Sequence, residues 1–167
     1  NDGWFSLSFK KHTRIKILNK NGLDAANVEI PLYFSGNMEE KVVNLKAITY
    51  NLENGKVTET TLDKKSVFKD KYDKNHITVK FTLPAVKEGS VIEYMYTVTS
   101  DFLRNLQPWE FQGEYPVLWS QYEVKLPEFF NYVFLSQGSV PLEHSRETTR
   151  DNFSLVDSKG ASSSSRY

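Results

Sequence analysis

The chain has 167 residues and no cysteine, which removes disulfides, thiolate metal sites and a cysteine nucleophile from it. Lys plus Arg equals Asp plus Glu at 21 each, so no long-range field draws the chain to nucleic acid or to an anionic bilayer, and nucleic acid is not an expected partner. The 11 Phe, 9 Tyr and 3 Trp suit a pleated, half-buried surface better than a helix, and a chain of this length can bury ~68–70% of its unfolded surface without staples.

The start, NDGWFSLSF, lacks a basic segment followed by an apolar one, so the expectation is either a cytosolic chain or one whose signal peptide has been removed. Trp4 to Lys10 alternates, with Phe5, Leu7 and Phe9 on one side; Thr13 to Leu18 does the same with Ile15 and Ile17, and both segments read as strands. Asn19 to Gly22 reads as a turn. The stretch LDAANVEIPLYF mixes a short helical possibility at Leu23 to Asn27 with an extended piece ending before Pro31. Glu40 to Leu52 changes phase, because Val43, Leu45 and Ala47 share one side while Ile48, Tyr50 and Leu52 share the other. One extra residue near Ala47 and Ile48, a β-bulge, would reconcile the two sets.

Asn54-Gly55 is a two-residue hairpin signal leading into a strand at Val57 to Leu62. The charged segment that follows reads as a solvated loop around Val67 and Phe68. His76 to Ser100 alternates, pauses at a connection holding Pro84 and Gly89, and resumes, so it reads as a β-hairpin. Ile77, Val79, Phe81 and Leu83 form one inward set and Ile92, Tyr94, Tyr96 and Val98 the other. Asp101 to Pro108 breaks the alternation; Trp109 to Gln112 and Val117 to Leu126 resume it, and Phe129 to Leu135 is apolar on both faces, as a central strand would be. Phe153 and Leu155 mark a last strand, and GASSSSRY reads as a polar tail.

These segments predict an all-β fold: a two-layer antiparallel β-sandwich of about ten or more strands with little helix, a closed barrel being the runner-up. The expected division is one domain over residues 1–157, with 158–167 a flexible tail or the start of a linker. No apolar run approaches the ~18 residues of a membrane-spanning helix, so no membrane span is expected.

The search for chemistry returns little. His12, His76 and His144 lack a second ligand at metal-like spacing and read as surface or satisfied histidines, so no metal and no cofactor is expected. Asp70 with Asp73 and Glu39 with Glu40 are the nearest to paired carboxylates; each has a Lys neighbour, and a charged solvated face is the favoured reading. No serine sits in a nucleophile elbow, and no glycine-rich phosphate loop is present, so no catalytic residue is assigned. Trp109 and Phe111 share a face and read as core. Trp119 shares its face with Gln121, Glu123 and Lys125 and is the candidate exposed aromatic. The candidate contact residues are therefore Trp119, Gln121 and Glu123, with Trp109 a further stacking candidate.

Three strings carry a resemblance: NLKAITYNLENGKVTETTLDKKSVF, then VKFTLPAVKEGSVIEYMYTVTS, then QPWEFQGEYPVLWSQYEVKLPEFFNY. Together they resemble a domain of unknown function found N-terminal to transglutaminase-like domains in exported bacterial proteins, chiefly through Phe81 to Tyr94 and the W-x-F-Q-x-x-x-P-V spacing of Trp109 to Val117. The likeness runs from about Ile15 to Ser136. It implies a non-catalytic β-sandwich module in the periplasm or at the cell surface, preceding a papain-like Cys-His-Asp domain that would be its partner in the same polypeptide. It carries no catalytic residue to transfer. The alternative from another class is an autonomous glycan- or peptide-binding module of the cell envelope using Trp109 or Trp119.

Overall fold

The computed structural model describes residues 5–103, 106–127, 129–130, 132–138 and 141–149, and the backbone of Asn152–Val156 and Ser162–Arg166. Trp4, residue 157, and residues 158–161 and 167 of the expected tail lie outside the described residues. Two compact units divide the chain, Phe5–Gln107 and one containing the residues from Pro108 on, where the sequence had suggested one domain.

The first unit is all β. Its strands are β1 (Leu7–Lys16), β2 (Asn27–Ser35), β3 (Met38–Glu39), β4 (Lys41–Glu53), β5 (Lys56–Thr61), β6 (Phe68–Lys71), β7 (His76–Thr82) and β8 (Val91–Ser100). They form two antiparallel four-stranded sheets, ordered β1-β8-β4-β5 and β3-β2-β7-β6. Helix is confined to short 3-10 turns at Lys20–Ala26 and Lys64–Ser66, each begun by an Asn or Asp side chain that accepts a backbone N–H two residues on.

Burial decides the layering. Ile30, Leu32, Ile77, Val79 and Phe81 of one sheet join Ala47, Ile92, Tyr96 and Val98 of the other in a single buried cluster. Each large apolar side chain removed from water contributes about 1.5–3 kcal/mol, which fixes which face of every strand turns inward.

One expectation is overturned here. β7 and β8 do not form a hairpin: β7 pairs with β2 and β6, β8 with β1 and β4, and Leu83–Ser90 carries the chain from one sheet to the other. Alternation reports which face is buried and says nothing about which strand lies alongside, so a corner between layers reads like a hairpin. In the same way β1 is one strand rather than two, pairing without interruption from Leu7↔Ser100 to Lys16↔Val91, because the ladder is made by the backbone and tolerates polar Lys11 and Thr13 on the inward side. β2 continues through Pro31, which forfeits no ladder bond because the β3 side of β2 is open there.

The bulge forms, but upstream of Ala47 and Ile48. Val43 faces Thr97 and Lys46 faces Met95, so β4 spends three steps where β8 spends two. Asn44 takes the strain at φ 55, a left-handed conformation asparagine tolerates better than its apolar neighbours. The β4–β5 turn follows the Asn-Gly signal, with Asn54 and Gly55 both at positive φ and Glu53 opposite Lys56.

In the second unit, no strand forms at Trp109 to Gln112, Val117 to Leu126 or Phe129 to Leu135 among the described residues, contrary to the sequence reading. Alternation persists there in the burial of Ser120, Tyr122, Val124 and Leu126, but no neighbour supplies a ladder. Two further strands pair antiparallel in backbone, β9 (Asn152–Val156) and β10 (Ser162–Arg166); β10 occupies part of the segment read as a tail. Among the described residues no helix is long and apolar enough to cross a membrane.

Candidate functional site

The four contact candidates do not share a surface. Trp109 is half-buried: its indole N–H donates to Ser120 Oγ at 3.0 Å and its ring stacks on Tyr122 with centroids 5.5 Å apart and planes 12° apart. Burial raises the Tyr122 hydroxyl pKa above its ordinary value. Trp109 thus belongs with the half-buried side of the segment, and one face of its ring is already occupied.

Trp119, Gln121 and Glu123 point the other way. Trp119 is 81% exposed and Leu118 beside it fully so, while Glu123 meets Lys125 at 3.2 Å. The bend before them is held by Gln112, whose side chain donates to the Val117 carbonyl at 3.2 Å and accepts the Val117 N–H at 3.3 Å. That pair of hydrogen bonds gives the W-x-F-Q-x-x-x-P-V spacing a local structural cause. Val133 and Leu135 are also exposed, both at 85%.

The histidines are partnered or exposed. His12 Nε2 lies 2.6 Å from Glu93 Oε1, and Arg14 donates to Glu93 Oε2 at 2.8 Å; these bonds, Arg14's first, hold the Glu93 carboxyl below the usual range. Asp73 is lowered too, first by the Asn75 backbone N–H and then by His76, whose Nδ1 is 2.9 Å away. His144 is exposed. Among the described residues no group of three or more His, Asp or Glu is placed to hold a metal ion.

The feature that sequence reasoning missed is a groove of about 950 Å³ in the first unit, where the bulged start of β4 faces β3, β6 and β7 of the other sheet. Leu32, Val42, Leu45, Val67 and Val79 line it with apolar surface, and lysines stand around it. Glu39 is held by Lys69, which lowers its pKa, and Glu40 is buried with Oε2 accepting the Tyr33 N–H at 2.8 Å. The signal for it lay in β4, whose phase change marks where pairing with β5 stops, but the opposing residues are separated in sequence.

The family model described as a domain of unknown function with a solved structure, DUF3857, matches residues 5–156. No curated protein and no solved structure matches the chain. Because that match spans most of its length, the chain belongs to the DUF3857 family.

Proposed function

We propose that this is a non-catalytic accessory domain that works by contact, N-terminal to a transglutaminase-like, papain-like cysteine domain in the periplasm or at the cell surface. The observation that carries this reading is the exposure of Leu118, Trp119, Val133 and Leu135 on stretches that form no ladder among the described residues. Large apolar side chains left in water are what a partner surface covers. The resemblance noted above supplies the partner: the domain that follows, whose position or substrate this one would set.

The test has two parts. The reading frame continued past Tyr167 should encode Cys, His and Asp in the transglutaminase-like order, and a stop soon after would remove that partner. The separately purified downstream domain should then bind the chain, and a Leu118→Ala, Trp119→Ala variant should bind about tenfold more weakly or worse, the loss of two interface anchors. Unchanged binding would overturn the reading. The same face, with Gln121 and Glu123 beside an open Trp119 ring, favours one rival, an autonomous glycan or peptide module; retained affinity for the downstream domain together with Trp119-dependent binding of an oligosaccharide would establish it instead.

A further inference from the structure

We propose that the groove between β4 and the β3–β6–β7 face binds an extended acidic peptide, which adds as a strand to the open edge of β4. This goes beyond the accessory reading, which rests on residues of the other unit.

Two observations converge on that occupant. The first is a free backbone edge. On the side turned away from β8, β4 is paired with β5 only from Ile48 to Glu53, and the Leu62 N–H bonds the Ala47 carbonyl at 2.9 Å. From Lys41 to Leu45 that side has no described ladder partner, although the same residues are strand and Lys41–Val43 pair with β8 on the other. Alternate N–H and C=O groups therefore face the groove over about five residues, ~16 Å of strand. Asn44, at positive φ, interrupts this edge without ending it. A chain laid along it would continue the line of β5 and drop alternate side chains onto Leu32, Val42 and Leu45.

The second is charge. Lys41, Lys46 and Lys64 all stand at the groove, all are exposed, and none has an ion-pair partner among the described residues, whereas both acidic groups there are committed. In a chain with no net charge the groove is locally cationic. Apolar floor, cationic rim and unpaired backbone together select alternating apolar and acidic residues in extended form. An anionic amphiphile would satisfy floor and rim but leave the backbone edge unused.

The experiment titrates the full chain into a dye-labelled peptide of about nine residues alternating Val and Glu, with a Val/Lys peptide and decanoate as comparisons, at low and high salt. The Val/Glu peptide should bind saturably, more weakly as salt rises, and the Val/Lys peptide should not. Lys41→Glu with Lys64→Glu should weaken binding about tenfold, the worth of two reversed rim charges, while Lys10→Glu with Lys16→Glu on β1, which β8 separates from β4, should leave it unchanged. Circular dichroism melting confirms that both variants fold. N-methylation of the peptide on one alternate set of residues should abolish binding, and on the other set spare it. Equal binding of both peptides, no effect of the groove lysines, insensitivity to N-methylation, or saturable binding of decanoate alone would each overturn the proposal, whatever the outcome with the downstream domain.

Discussion

Ser90 donates a 2.6 Å hydrogen bond to the side-chain oxygen of Asn51, with both residues buried between the sheets. The Asn51 amide donates in turn to the Ala85 carbonyl at 2.9 Å, Ser90 Oγ accepts the Lys87 N–H at 2.9 Å, and the Ser90 N–H donates to the Lys87 carbonyl at 3.0 Å. The FTLPAVKEGSVIEY stretch is thereby tied to β4, which explains why its small polar residue must be there. Asn51→Ala and Ser90→Ala should each cost about 1–3 kcal/mol, the penalty of stranding buried partners. In urea unfolding the double variant should lose less than the sum, because the two share one network. Strict additivity would mean that the bonds act separately.

Thr49 sits one inward position before Asn51, fully buried, and its hydroxyl has no hydrogen-bond partner among the described residues. Thr49→Val keeps the shape and removes the unsatisfied group, so stability should rise by about 1 kcal/mol. A urea midpoint shifted downward would show that the hydroxyl is satisfied.

Gly89, at φ 83, has open space where a Cβ would be, while its N–H donates to the Ile17 carbonyl at 2.8 Å. Gly89→Ala therefore meets no clash, and its cost is conformational, about 1–2 kcal/mol. Ala85 is the converse case, held at φ 55 despite its Cβ. Ala85→Gly should be neutral or slightly stabilising by the same thermal-melting measurement.

Glu93 supplies a pH signature. Its folded pKa is depressed, first by the Arg14 bond, so its stabilisation is present above the ordinary glutamate value of 4.5 and is lost as the pH falls through the lower folded value. Arg14→Gln should be less stable than the parent at pH 7, and the two stability curves should converge below pH 4.5. Parallel curves through that range would assign the loss to packing of the arginine stem.

How far the sequence could be read follows from what alternation encodes. It marks the inward sets Ile77, Val79, Phe81 and Leu83, and Ile92, Tyr94, Tyr96 and Val98, all of which are buried except Tyr94, which packs half-buried against the cluster. It could not say that β7 and β8 belong to different sheets, because pairing is decided by long-range packing. It erred where polar residues turn inward: Thr49 and Asn51 occupy the core side of β4 while Leu52 is 70% exposed, since the Asn51 network outweighs side-chain polarity. The exposure of Trp119 was legible from its polar face-mates. The groove was not, since it exists only where β3, β4, β6 and β7 converge.

The extra residue at Asn44 makes β4 a strand of two parities. Val42 and Leu45 are three apart, an odd interval, yet both pack against the same core, which an unbroken pleat forbids. Deleting Asn44 would therefore not trim a loop; it would bring Val42 and Leu45 two apart and let β4 pair with β8 without a break, Leu45 falling opposite Tyr96, with Val42, Leu45 and Ala47 still turned inward. In any related chain, a gap at this position and a gap two turns of pleat later carry opposite meanings: the first leaves the interior intact, and only the second turns the following side chains outward and calls for a compensating insertion.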